Sequence, residues 1–181
     1  MLPKGFYCNG LHSGIAKKSS KKDLALFFSP SPASVAGMFT GSLVKAAPVL
    51  IDIDKLKKHK TFHGIIANSG CANACTGARG KKDAEFICAQ TAKNLKVSPN
   101  SILAASTGVI GEFLPVQKIA GALPALEKII SKKDEKSAVS AIMTTDSFAK
   151  ISFKTIKVSK GKITVWGCAK GAGMIHPDLK G

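Results

Sequence analysis

The sequence predicts a mixed α/β (α+β) fold, a sheet layered with helices, built as one domain over residues 1–181. Two patterns carry this class. Short apolar runs of strand character alternate along the chain with segments of helical period. Near the C-terminus, two alternating runs flank SKGK at 159–162, which reads as an antiparallel hairpin. Separated single strands beside a hairpin imply a mixed sheet. Composition agrees: 45% hydrophobic residues, with 17 glycines and 8 prolines, describe a globular chain rather than a disordered or collagen-like one.

The elements follow in order. DLALFF at 23–28 and AGMFTG at 36–41 are apolar runs separated by SPSPAS at 29–34, whose serines and prolines predict a turn. HGIIANSG at 63–70 reads as a buried strand entering a polar, glycine-bounded turn. At 83–96 the spacing predicts an amphipathic helix capped by Asp83, with Phe86, Ile87, Ala89 or Gln90, Ala92 and Leu95 on one face. SILAAST at 101–107 is a further apolar strand, ending at Gly108. The period over 116–133 is helical, with Pro124 expected to kink it or to begin a second helix. EKSAVSAIMTT at 135–145 is a small-residue helix suited to close packing. In the hairpin, Ile151, Phe153 and Ile156 lie on one arm and Ile163 and Val165 on the other.

The formal net charge of +16 asks for an anionic partner. Nucleic acid is a weak candidate. Every basic residue except Arg79 is a lysine, and one Tyr and one Trp offer little stacking surface. The lysine pairs at 17–18, 21–22, 81–82 and 132–133 are spread along the chain and read as solvated charge. The five cysteines, Cys8, Cys71, Cys75, Cys88 and Cys168, are odd in number and thinly spread, unlike a secreted disulfide framework. Cys71 and Cys75 lack a second ligand pair, so buried thiols are expected and no metal. No apolar run approaches the roughly 20 residues of a membrane span. The opening MLPKGFYCNG lacks the apolar core of a secretory signal, so the expected location is the cytoplasm.

Three polar, glycine-containing segments follow strand-like runs: NSGCANACTGARG at 68–80, STGVIGE at 106–112 and GCAKGAGM at 167–174. Such loops at strand ends are where function usually sits. None is a phosphate loop, a dinucleotide fingerprint or a nucleophile elbow. His63 with Cys75 is the nearest approach to a nucleophile–base pair. Thr107-Gly108 suits an oxyanion hole, because glycine lets backbone N–H groups approach closely and threonine adds a hydroxyl donor.

Together, KAAPV (45–49), ANSGCANACTG (67–77), STGVIGEFLP (106–115), AIMTTDSF (141–148) and AKGAGMIHPD (169–178) resemble, in order and spacing, the ornithine acetyltransferase family, also called glutamate N-acetyltransferase. The opening GFYCNGLHSGIAKKSSKKDLALFFSPSPASVAGMFT resembles that family's start, so the likeness covers nearly the whole chain. The resemblance implies a sheet-and-helix sandwich shared with self-cleaving aminopeptidases. It also implies a precursor that cuts itself before a threonine, leaving this α chain and a β chain associated, as α2β2 or larger. That threonine, first in the β chain, is the implied nucleophile. Acetyl passes to it from N-acetylornithine and then to glutamate, with ping-pong kinetics. No cofactor is implied, although some members take acetyl-CoA as a co-substrate.

Residue by residue, the resemblance gives Thr107 and Gly108 the oxyanion hole and Thr144 and Lys170 substrate contacts, with Thr145 the neighbour if the register shifts by one. It places cleavage at Gly181. The chain departs from the family pattern twice. Cys71 stands where asparagine is common, a position a small thiol can fill. Lys180-Gly181 follows PDL where relatives commonly carry one alanine. The competing class is a basic nucleic-acid or anion-binding module without catalysis, whose affinity would fall steeply with salt.

Overall fold

The computed structural model describes residues 1–17, 21–171 and 178–180. A four-stranded sheet runs in the order β1 (Tyr7–Leu11), β2 (Leu24–Ser34), β4 (Thr61–Cys71), β5 (Ile102–Val109). The β1–β2 and β2–β4 pairs are antiparallel and β4–β5 is parallel, which is the mixed sheet expected. The parallel pair is joined by α2 (Gly77–Leu95), as parallel neighbours require. Two small ribbons complete the strands. β3 (Phe39–Thr40) pairs with β8 (Leu179–Lys180), and β6 (Lys150–Val158) forms the predicted hairpin with β7 (Gly161–Ala169).

Strand alternation sorts the core into two layers. Leu24, Leu26, Ile66, Ile102 and Ala104 point to one face, against α1 (Ala47–Lys58), α2 and α3 (Val116–Ile129). There they meet Ile51, Ile87, Ile119, Leu123 and Leu126. Each such large side chain, fully buried, contributes about 1.5–3 kcal/mol. On the opposite face, Cys8, Ala25 and Ala67 meet Ala138 and Ala141 of α4 (Glu135–Ile142). The small residues foreseen in α4 have a structural reason: a Cβ at Gly10 would lie 2.4 Å from the Ser137 carbonyl oxygen and 2.8 Å from the Ala141 Cβ.

Three sequence expectations are corrected. SPSPAS does not turn. β2 runs on through it and changes register against β4 between Phe28 and Ala33, a bulge where prolines forfeit no ladder bond. Asp83 does not cap α2, which starts six residues earlier at Gly77, and the buried face is Ala84, Ile87, Cys88, Thr91 and Ala92 with Phe86 outside. Pro124 begins no second helix: α3 runs on through it. It lies on the exposed side of the helix. The hairpin is as expected: Ile151, Phe153 and Ile156 lie on β6 and Ile163 and Val165 on β7, with Phe153 paired to Trp166 and Ile156 to Ile163.

Helix α1 was not foreseen, because its acidic and basic residues break the apolar period. Its start is set by Pro48 in the first turn and by the Ala47 N–H donating to the Asn73 carbonyl at 3.1 Å. It serves the free edge of β5. The Ala104 N–H donates to the Asp52 carboxylate at 3.1 and 3.3 Å, and Lys55 Nζ donates to the Ile102 carbonyl at 2.6 Å. An edge strand is thereby closed to stray pairing over these residues.

Burial raises the Asp52 carboxyl from 3.8 to about 7, against the opposing pull of the Ala104 N–H and the Lys55 ammonium. Between those values the folded protein holds a proton that the unfolded chain has released. The contribution is full below the unfolded value and is lost as pH rises through about 7. Relative to Asp52→Asn, the wild-type protein should lose on the order of 4 kcal/mol between about pH 4 and pH 8, as read from urea midpoints. A constant difference across that range would contradict this.

Candidate active site

The C-terminal ends of β4 and β5 are tied to each other. Asn68 Nδ2 donates to the Cys71 carbonyl at 2.9 Å, and Ser106 Oγ donates to Asn68 Oδ1 at 2.6 Å. Beyond the strands, the Ala72 N–H donates to the Val109 carbonyl at 2.8 Å and the Gly111 N–H to that of Ala74 at 2.9 Å. Asn73, fully buried in the left-handed region at φ 47°, donates to the Gly80 carbonyl at 2.9 Å and accepts from Thr76 Oγ1 at 2.8 Å. The polar run at 67–77 is thus the internal wiring of a strand-to-helix turn. Cys71 is buried, its thiol pushed up by desolvation and donating to the Glu112 carbonyl at 3.4 Å. It fills space as a small thiol, as expected.

Gly108 adopts φ +136°, which side chains rarely tolerate, and a Cβ there would lie 2.3 Å from the Gly70 carbonyl carbon and 2.6 Å from the Cys71 nitrogen. The two strands can meet this closely only because the position carries no side chain.

Three residues named from the sequence come together here from three elements. Lys170, directly after β7, donates from Nζ to Thr107 Oγ1 at 2.5 Å. The same Nζ lies 3.5 Å from Thr144 Oγ1, in the connection between α4 and β6. Thr144, not Thr145, therefore faces the lysine. Thr107 and Lys170 sit on the wall of a cavity of about 810 Å³ between the sheet and β7, whose other walls include Phe27, Phe62, Ile65 and Trp166. His63 lies near the start of β4 and Cys75 four residues beyond its end, and His63 Nδ1 is engaged by the Ser29 carbonyl at 2.9 Å. They form no pair. Gly181 lies outside the described residues.

One residue at this site was missed by sequence reasoning. Asp146 receives Lys150 Nζ at 2.7 Å, the Gly171 N–H at 2.8 Å and the Thr144 N–H at 3.3 Å. The Lys150 hydrogen bond, then that of Gly171, holds its carboxyl well below the usual carboxylate range. The available signal was a carboxylate directly after the paired threonines of TTD, in a chain with only 11 acidic residues. All five cysteines are free thiols. Among the described residues no cluster of three or more His, Cys, Asp or Glu side chains could hold a metal, and no helix is long and apolar enough to cross a membrane.

The architecture is that of solved mixed α/β proteins. Over 98% of the chain it matches an arginine biosynthesis bifunctional protein ArgJ from Bacillus halodurans, at 36% identity, TM-score 0.89 and 92% of that chain. It matches equally an ornithine acetyltransferase from Mycobacterium tuberculosis, solved with ornithine, at 36% identity, TM-score 0.88 and 94% of that chain. Residues 7–181 fit the ArgJ family, and the chain belongs to it. Curated relatives named arginine biosynthesis bifunctional protein ArgJ, from Caldanaerobacter subterraneus and Thermotoga neapolitana, are each 44% identical over 98% of this chain. The chain spans only 43% and 44% of their lengths.

Gly108→Ala should force β4 and β5 apart where they converge. The expected loss is about 2 kcal/mol or more, combining overpacking with the positive φ. Urea unfolding measures it, and an unchanged midpoint would show that the close approach is not needed.

Proposed function

We propose that this chain is the α part of a two-chain acetyltransferase that moves an acetyl group from N-acetylornithine to glutamate in arginine biosynthesis. The observation that carries this reading is the convergence of Thr107, Thr144 and Lys170 beside Gly108. The coverage supports it too: the chain spans less than half of its curated relatives yet more than nine-tenths of the solved chains. The remaining part, a β chain cut from the same precursor at Gly181, supplies the nucleophilic threonine, and the assembly is α2β2 in the cytoplasm. The relative solved with ornithine supports the substrate class.

The geometry suits each step. The threonine hydroxyl of the β chain attacks the acetyl carbonyl, and the negative charge develops on its oxygen. A hydroxyl has one proton and two lone pairs. Because Thr107 Oγ1 accepts from Lys170, its own proton stays free to donate to that oxyanion, alongside the Gly108 N–H. Collapse expels ornithine, whose amine takes up a proton, and leaves an acetyl ester on the threonine. The glutamate amine then attacks the ester, loses a proton and leaves as N-acetylglutamate. The β-chain α-amine, with a pKa of about 7.7–8.0, is a suitable base near neutral pH. Lys170 and Thr144 remain available to a substrate carboxylate. No bound cofactor enters these steps, and acetyl-CoA would serve only as an alternative donor.

Steady-state kinetics of the two-chain enzyme should give parallel lines when N-acetylornithine and glutamate are varied. Thr107→Ala should lower kcat by about 10²–10³. A wild-type protein that transfers no acetyl group, or one that binds nucleic acid with steep salt dependence instead, would overturn the reading.

A further inference from the structure

We propose that Asp146 is the positioning residue of this site, the group that sets Lys170 against Thr107 and Thr144; this rests on the acetyl-transfer reading. Lys170 follows the end of β7 and Thr144 lies in the connection between α4 and β6, and nothing in either backbone alone fixes their separation. Asp146 connects them. Its Oδ1 receives the N–H of Gly171, the residue after Lys170, at 2.8 Å, and its Oδ2 receives the N–H of Thr144 itself at 3.3 Å. Lys150 Nζ, at 2.7 Å on Oδ1, supplies the counter-charge from the first residue of β6. The Asp146 side chain is only 1% exposed.

A neutral amide cannot replace it. Of the two oxygens, one serves Gly171 and Lys150 and the other serves Thr144. An asparagine would turn one of them into an N–H2 facing another donor. The Lys170 ammonium would then leave its place on Thr107, the hydroxyl whose free proton faces the oxyanion. Asp146 acts through Lys170 and has no contact with the reacting atoms in this role.

The test is a double-mutant cycle in the two-chain enzyme expressed from its whole precursor. Asp146→Asn should lower kcat/KM by about 10²-fold, as a displacement of about 1 Å does. The loss should fall in the same constant, kcat or KM, as that of Lys170→Ala. In the Lys170→Ala background, Asp146→Asn should change kcat/KM by less than about threefold. Hydrogen exchange at the Gly171 amide should quicken at least about tenfold in the single variant as its acceptor weakens. An Asp146→Asn enzyme with wild-type kcat/KM, a loss that multiplies with that of Lys170→Ala, or unchanged Gly171 exchange would each overturn the proposal. If Asp146→Asn does not assemble, Asp146→Glu carries the same cycle, since it keeps the charge while moving it. Absence of acetyl transfer by the wild-type enzyme would instead remove the catalytic reading beneath it, while the Gly171 exchange still reports on the contact.

Discussion

The close approach of β4 and β5 at Gly70 and Gly108 is the constraint on which the rest of the site depends. Parallel strands bring their C-terminal ends to one side of a sheet, and the turns that follow each strand are then neighbours. In this chain the approach is closer than any side chain allows. The helices hold it from behind: α1 fastens the β5 edge through Asp52 and Lys55, and α2 leaves β4 through the Asn73–Thr76 turn. The hairpin then brings Lys170 across the same strand ends. Thr107, next to Gly108 in the chain, and the Lys170 ammonium end up on the wall of a mainly apolar cavity.

The functional segments were legible in the sequence because each combines glycine with threonine or lysine at the end of an apolar run. Their order along the chain matched a family before any contact was known. Sequence could single out Thr107, Thr144 and Lys170 but not show that Lys170 touches both threonines, because they lie on separate elements joined by tertiary packing. Asp146 escaped for the same reason: its role rests on three donors, two of them backbone groups that no residue type announces. The fold was legible where one period dominates, as in the hairpin and α4. It was not legible where context overrode propensity. Prolines fit a bulge in β2, Pro124 fits the exposed side of α3, and α1 is a helix whose acidic and basic residues face a strand edge as well as solvent.

The charge of the chain has a simpler meaning than its size suggests. Many of its lysines lie on exposed loops, helix ends and the hairpin, and Arg79 is the one arginine of the sequence. One lysine is set apart by geometry. Lys170 meets two hydroxyls rather than a carboxylate, which leaves its charge available to an anionic group arriving in the cavity. Near-neutral polar partners around a cation are what a site for substrate carboxylates or a developing oxyanion requires.

The most direct measurement is peptide mapping by mass spectrometry of the two-chain enzyme, quenched in acid after incubation with N-acetylornithine and no glutamate. The expected result is one acetyl group per αβ pair, carried as an ester on the first threonine of the β chain and discharged when glutamate is added. An acetyl group found on a residue of this chain, or no acetylated enzyme while transfer proceeds, would contradict a site that stabilises the reaction from the α side and receives its nucleophile from the other.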